Sequence, residues 1–126
     1  MIFTKNFNPN TDPKLLCTCG NSRCDQRSIN QESLSKLQLI RNDYGKPMII
    51  TSGGRCQYHP DELSKSKAGD HQERFAVDVK CDTVLERNKL MVLAGRHGAT
   101  RVAFGSNFVH ISWTPTPDKS VPTWEY

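Results

Sequence analysis

Long apolar runs are missing from this 126-residue sequence. Stretches such as Met-Ile-Ile at residues 48–50 fall far short of the roughly 20 apolar residues that cross a bilayer, so we predict no membrane span. Residues 1–5 lack a basic segment that leads into an apolar one. We therefore also predict no signal peptide and synthesis in the cytoplasm.

Internal repeats and low-complexity tracts are absent as well, and the length is typical of a single domain. Hydrophobic residues make up 36% and charged residues 24% of the chain, which excludes a disordered protein. The net charge of +4 favours anionic polymers in general. The Lys and Arg residues are scattered and the aromatic residues are not interleaved with them, so a nucleic-acid binder is disfavoured.

The pattern of apolar residues predicts one α+β domain with two main helices and a small, mostly antiparallel sheet. A cysteine-containing arm precedes the first helix, and a tail with three prolines is expected to wrap the surface. We predict the arm at 1–29, one helix at 31–44 and a second that follows a cap at 82 and reaches about 94, strands at 48–51, 74–80, 101–104 and 108–113, a loop at 57–70 and the tail from 114.

The ends of both predicted helices carry specific signals. Asn30 is a suitable N-cap for the first helix, and Gly45 can end it in the left-handed conformation. Asp82 is a suitable N-cap for the second helix. The residues expected on the buried side of that helix are Leu85, Leu90, Met91 and Leu93.

Three side chains that can bind a metal lie in or beside two predicted strands. His71 ends the long loop, Asp78 lies within strand 74–80, and His110 lies within strand 108–113. Because side chains alternate along a strand, Asp78 and His110 both project away from the bulky apolar face. Two His nitrogens and one carboxylate can form a catalytic zinc site. From these residues alone, a solvated Asp and an ordinary core His remain the alternative.

The segments that carry these residues resemble the zinc D-Ala-D-Ala metallopeptidase family, which is structurally related to the hedgehog signalling domain. Residues 51–56 resemble its Ser-Gly-Tyr-Arg-Cys segment, and residues 69–78 resemble its Ser-x-His-x-x-Gly-x-Ala-x-Asp zinc motif. Residues 106–110 resemble the strand with the last ligand, and residues 7–24 a Cys-containing segment in one branch of the family. The resemblance therefore covers most of the chain.

Three positions depart from the family pattern. Gly69 stands where the motif has Ser, Arg74 where it has Gly, and Gly54 where the other segment has Tyr. All three ligand positions and the Arg of the family pattern are kept.

The resemblance implies one catalytic zinc ion held by His71, Asp78 and His110. It also implies that Arg55 lies beside the metal. There, a guanidinium can bind a carboxylate or carbonyl and stabilise developing negative charge. The alternative for Arg55 is a surface Arg that follows a turn.

A proton acceptor is not evident close to these ligands. Relatives carry a Glu, an Asp or a second His at positions that are here Asn107, Phe108 and Ser112. None of these side chains accepts a proton near neutral pH as a carboxylate or imidazole does. The acceptor must therefore come from elsewhere in the chain.

We favour His59 as this acceptor because it lies on the loop just after Arg55 and an ordinary His has a pKa of about 6.5. An exposed loop His without a role is the alternative. The other candidates are His97, Asp70 and Glu73.

The five cysteines comprise one cluster and two isolated residues. Cys17, Cys19 and Cys24 lie close together in the arm, whereas Cys56 and Cys81 are isolated in the sequence. Without a secretion signal, reduced thiols or a small metal knot are favoured over disulfides. The three arm cysteines, with or without Cys56, could hold a second, structural zinc ion, but their spacing is not that of a standard finger. Free buried thiols are the preferred interpretation.

Two hypotheses of different classes follow. The first is a zinc peptidase, similar to D,D-carboxypeptidases, murein endopeptidases and phage endolysins, that hydrolyses stem peptides or cross-bridges of peptidoglycan. The second is a wall-binding module that keeps the metal but has no turnover. We favour the first, as a monomer acting at the bacterial cell wall, which it reaches by lysis, through a helper pore or in a phage particle.

Overall fold

The computed structural model describes residues 2–63 and 69–115, and it describes the backbone alone for 123–125. The helices are α1 (Gln31–Tyr44), α2 (Pro60–Leu63) and α3 (Val84–Arg96), with a 3-10 turn at Pro13–Leu15. The strands are β1 (Ile50–Ser52), β2 (Ala76–Lys80), β3 (Arg101–Phe104), β4 (Phe108–Ser112) and β5 (Thr123–Glu125). The predicted α+β class is confirmed. None of the described helices is long and apolar enough to cross a membrane.

The sheet has the strand order β1-β2-β4-β3-β5. The first four strands pair antiparallel, and β5 joins β3 in parallel. In the central pair, Asp78 of β2 lies directly opposite His110 of β4. Directly opposed residues of an antiparallel pair share one face of the sheet, so this register places the two side chains next to each other.

The opposite face of the central strands belongs to the hydrophobic core. Val77, Val79, Val109 and Ile111 are buried in the same cluster as the apolar side chains of α1 and α3. The alternation predicted for β2 and β4 is therefore confirmed. Apolar residues hold the helices on one face, and the polar residues between them occupy the other face.

Helix α1 has the predicted ends. The side chain of Asn30 accepts a hydrogen bond from the backbone N–H of Ser33, and Gly45 ends the helix with a φ of 77°. The left-handed conformation costs glycine little because it has no Cβ.

Helix α3 differs from the prediction at both ends. Its N-cap is Thr83 and not Asp82, because the Thr83 hydroxyl accepts from the N–H of Glu86 and also donates to the Glu86 carboxylate. The helix continues to Arg96, beyond the predicted end. Leu85, predicted to be buried, is 79% exposed, because the buried face is formed by Leu90, Leu93 and Ala94 and position 85 does not lie on that face.

Strand β2 begins later than predicted because Arg74 has a φ of 73°. This left-handed backbone cannot continue a strand. The Arg74 Nε–H donates to the Ser28 carbonyl at 2.7 Å, and the Asn30 side chain donates to the Arg74 carbonyl at 2.7 Å. These bonds hold an arginine in a conformation that glycine adopts more easily.

Strands β1 and β4 also differ at their ends. β1 runs from Ile50 to Ser52 where 48–51 was predicted, and its pairing with β2 shifts between these two residues. β4 ends at Ser112, one residue before the predicted end.

The predicted 57–70 loop contains the short helix α2. Pro is favoured at the first position of a helix, and the Glu62 and Leu63 N–H groups donate to the His59 carbonyl. Residues 64–68 of this loop lie outside the described residues. Most of the predicted tail, at 116–122, also lies outside them, and residues 123–125 form β5 where only a surface tail was expected.

Candidate metal centre

The side chains of His71, Asp78 and His110 meet in one buried cluster. Their ligand atoms all lie within 4.8 Å of one another. His71 Nε2 lies 3.1 Å from His110 Nδ1 and 3.2 Å from Asp78 Oδ1. His110 Nδ1 lies 3.0 Å from the same carboxylate oxygen. Residues from two separate segments of the sequence therefore meet in one cluster.

The second ring nitrogen of each histidine faces an acceptor. His71 Nδ1 lies 2.7 Å from the Gly53 carbonyl oxygen. A carbonyl can only accept, so Nδ1 carries the proton and Nε2 directs its lone pair into the cluster. His110 Nε2 lies 3.7 Å from Asp70 Oδ2, and Arg101 lies 3.3 Å from that same carboxylate oxygen. Partners of this kind fix the tautomer and orientation of metal-binding histidines.

The donor set and its spacing fit a tetrahedral zinc ion. Zinc–nitrogen bonds of about 2.0–2.1 Å place neighbouring ligand atoms about 3.3 Å apart, close to the three distances in this cluster. Three protein ligands leave the fourth position of such an ion to water or substrate. Lone pairs and a carboxylate that face one another in a buried cluster repel, and a cation between them removes that repulsion.

Nearby charges favour a cation in the cluster. Burial opposes ionisation of Asp78, but its close contacts with the His110 and His71 rings, which become hydrogen-bonded ion pairs when the rings are protonated, outweigh burial and hold the Asp78 pKa well below its usual range. Burial also opposes a charge on His110, but Asp70 and Asp78 outweigh it and raise the His110 pKa. Burial lowers the pKa of His71. A metal ion therefore competes with a proton on His110.

Arg55 extends from the β1–α2 loop to the edge of this cluster. Its Nη2 lies 3.6 Å from Asp78 Oδ2, the oxygen that the histidines do not contact. Its Nε donates to Ser52 Oγ at 3.2 Å, and its Nη1 lies 3.6 Å from Glu62 Oε2. The two Nη distances exceed hydrogen-bond length. The two Nη groups of Arg55 are therefore attracted to the carboxylates by charge, and their N–H groups can still donate to a substrate oxygen.

Glu62 was missed in the sequence analysis. Its side chain is fully buried beside Arg55, within the short helix α2. The sequence did contain a signal: Pro60 followed by Asp61 and Glu62 has the composition of a helix N-terminus. Recognising that helix would have turned Glu62 from a loop residue into a candidate partner for Arg55.

His59 lies just before α2. Its Nδ1 accepts a hydrogen bond from the Asp61 N–H at 3.0 Å, so the proton of the neutral ring is on Nε2. It lines a cleft of about 120 Å³ between the arm and β1, together with Lys14 and Ser52. Its predicted role as proton acceptor stays a prediction.

Two of the other candidate acceptors lie in different surroundings. His97 Nε2 lies 2.6 Å from Asp43 Oδ2, a contact between the end of α3 and α1. Glu73 is exposed in the turn that precedes β2.

Residues 6–112 match the model of the peptidase M15 family. The chain belongs to this family. M15 peptidases are zinc-dependent, so the resemblance to zinc metallopeptidases is confirmed, and this M15 chain has a group of residues that can hold the metal. Among curated proteins, no match to the chain was found.

Proposed function

We propose that this M15 chain is a zinc peptidase that hydrolyses peptide bonds of bacterial peptidoglycan. One observation carries the proposal: His71 Nε2, Asp78 Oδ1 and His110 Nδ1 lie within 4.8 Å of one another in a buried cluster. His71 presents a lone pair to that cluster because its other nitrogen faces the Gly53 carbonyl, and the other nitrogen of His110 lies on the side of Asp70. The three side chains are thus oriented to hold one zinc ion.

Zinc, when bound, supplies a Lewis acid that lowers the pKa of water and polarises a carbonyl. Arg55 supports the same reaction from the side of Asp78 Oδ2. Its guanidinium would bind the carbonyl oxygen of the scissile peptide and stabilise the negative charge that develops there. Glu62 and Ser52 hold Arg55 in this position and so act as positioning residues.

His59 is the proposed proton acceptor, because it is the one imidazole in residues 57–70 and follows Arg55 closely. Taking a proton at Nδ1 would break its hydrogen bond with the Asp61 N–H, at a cost of about 1 kcal/mol. The buried carboxylate of Glu62 is the competing acceptor on the same loop. The pH dependence of hydrolysis in His59→Ala and Glu62→Gln distinguishes the two.

The substrate class rests on the resemblance to D,D-carboxypeptidases, murein endopeptidases and phage endolysins. A net charge of +4 also suits an anionic wall polymer. We propose that the chain acts as a monomer at the bacterial cell wall, which it reaches during lysis or in a phage particle.

A wall-binding module without turnover is the second candidate. It is favoured by the side chains of Asn107, Phe108 and Ser112, which replace the proton acceptors of relatives. Such a module would keep the metal and the fold but would bind the wall polymer without cutting it.

Digestion of purified peptidoglycan by the zinc-loaded chain tests the proposal. New amino and carboxyl termini, identified by mass spectrometry, are expected with the parent and absent after chelation or in His110→Ala. The identity of the termini also names the bond that is cut. A pH–rate profile should lose its lower limb in His59→Ala if His59 is the acceptor, and unchanged activity there assigns the role elsewhere.

Co-sedimentation with intact peptidoglycan provides the complementary measurement. Binding without zinc-dependent cleavage at any pH would support the wall-binding module. If the chain cleaved unrelated peptides but left peptidoglycan uncut, the peptidase activity would stand and the proposed substrate would be wrong.

A further inference from the structure

Four of the five cysteines converge outside the His71–Asp78–His110 centre. In the arm, the Cys17 N–H donates to the Arg27 carbonyl at 2.9 Å, which closes a hairpin. Cys19 and Cys24 lie within that hairpin. Cys56 reaches the same point from the β1–α2 loop, 37 residues after Cys19.

The spacing of the four sulfur atoms fits a metal ion. All four lie within 4.8 Å of one another. Cys19 Sγ and Cys56 Sγ are 3.6 Å apart, far beyond a disulfide bond of about 2.05 Å. Zinc–sulfur bonds of about 2.3 Å give a tetrahedron with edges of about 3.8 Å. Four cysteines without a water position form a closed, structural zinc site.

Cys81 shows how an ordinary buried thiol packs in this fold. It belongs to the hydrophobic core, where a thiol behaves as a small apolar side chain. Cys17 and Cys56 are each only 1% exposed, but they are gathered with Cys19 and Cys24 in a cluster of sulfur atoms. This arrangement differs from that of Cys81 and indicates a common ligand.

We propose that Cys17, Cys19, Cys24 and Cys56 bind a second, structural zinc ion. The ion fastens the hairpin of the arm to the loop in which Arg55 directly precedes Cys56. This proposal replaces free thiols as the interpretation of these four cysteines, and it is independent of the proposed peptidase reaction.

The arm and this loop already meet through their backbones, so a metal tie would join segments in close contact. The Gly54 N–H donates to the Leu15 carbonyl at 3.1 Å. A Cβ at Gly53 would lie 2.6 Å from the same oxygen, and a Cβ at Gly54 would overlap the Arg27 carbonyl. The arm therefore occupies the space that the family's Tyr side chain would need at position 54.

Metal analysis of the full chain, purified without chelators, separates the two sites. We expect two zinc ions per chain in the parent. One ion should remain in Cys24→Ser, whose thiol is half-buried, and one in His110→Ala. Cys81→Ser is the matched control outside the cluster and should keep both ions.

Cobalt substitution gives a readout that does not depend on the folding of a cysteine variant. The Co²⁺-loaded parent and Co²⁺-loaded His110→Ala should both show the near-ultraviolet charge-transfer absorption of thiolate-bound cobalt. The proposal would be overturned if the parent held a single zinc ion and His110→Ala lost it. It would also be overturned if Cys24→Ser kept two zinc ions, or if the cobalt spectra showed no thiolate absorption. A Cys19–Cys56 disulfide in the unreduced protein would overturn it as well.

Loss of peptide hydrolysis alone does not bear on this proposal. A parent with two zinc ions and no hydrolysis would support the cysteine site and contradict only the peptidase function.

Discussion

The two clusters that could hold a metal ion are built on different kinds of structure. Asp78 and His110 lie opposite each other on the two central strands, so sheet pairing fixes their separation. The four cysteines and Arg55 lie on the arm and on the β1–α2 loop, where each position depends on several local contacts. The strand-borne cluster is thus determined by register, and the loop-borne cluster by the packing of irregular segments.

Removing a strand-borne ligand should have the largest effect. We expect His110→Ala to lose the zinc ion of the His71–Asp78–His110 centre and to lower peptide hydrolysis by about three orders of magnitude, since a bound metal contributes several kcal/mol to the transition state. Zinc content and initial rates measure this. His97→Ala, whose ring pairs with Asp43 at the helices, is the control. Unchanged zinc content in His110→Ala would refute the ligand assignment.

Removing the guanidinium of Arg55 should lower activity and leave the zinc ion of the His71–Asp78–His110 centre in place. Arg55→Ala is expected to reduce kcat by about 10²–10³-fold, the effect of one positioned donor. Arg55→Lys should recover part of this because it keeps the charge. Circular dichroism must accompany the assay, since Glu62 loses its partner in the buried pair. Activity of Arg55→Ala within about threefold of Arg96→Ala, an exposed control, would assign Arg55 a structural role.

The carboxylate behind the strand-borne histidine should matter less than the ligand itself. We expect Asp70→Asn to weaken zinc binding or activity by about 10–100-fold, because Asp70 faces His110 Nε2 and is held by Arg101. Competition with a coloured chelator measures the affinity. Asp82→Asn, an exposed carboxylate beside Lys80, is the control. Equal affinities in the two variants would remove Asp70 from the site.

The smallest effect concerns the turn that leads into β2. Arg74→Ala and Arg74→Gly both lose the hydrogen bond to the Ser28 carbonyl, but only glycine relieves the left-handed backbone. The glycine variant should therefore be more stable than the alanine variant by about 1 kcal/mol. Urea unfolding of the zinc-loaded proteins measures the difference. An alanine variant as stable as the glycine variant would show that this backbone is not strained.

Much of the sheet, and the side chains on it that could bind a metal, could be predicted from the sequence because both follow the alternation of residues along a strand. The alternation around Asp78 and His110 predicted their common face, and Asn30 and Gly45 marked the ends of α1. The resemblance then joined these residues to His71. The start of β2 could not be predicted in the same way, because Arg74 adopts a left-handed backbone conformation that an arginine in the sequence does not indicate.

The loop-borne residues were harder to place because their neighbours come from distant segments. The pairing of Glu62 with Arg55 depends on a four-residue helix inside a predicted loop. The convergence of Cys56 with the arm depends on a hairpin that no periodic pattern indicates. The start of α3 was also mispredicted, because both Asp82 and Thr83 are suitable N-caps and the helix uses Thr83, whose side chain accepts from the Glu86 N–H.

Because Asp78 and His110 lie opposite each other, zinc binding at the proposed centre would also select the native pairing of β2 and β4. A slip of one residue between β2 and β4 would turn one ligand to the other face, and the ion would find only part of its site. Ligand binding stabilises only the state that binds, so zinc would stabilise the native register relative to registers shifted by one residue. Chains with mispaired central strands would lack the zinc ion of this centre, so their zinc content would distinguish them from correctly assembled chains.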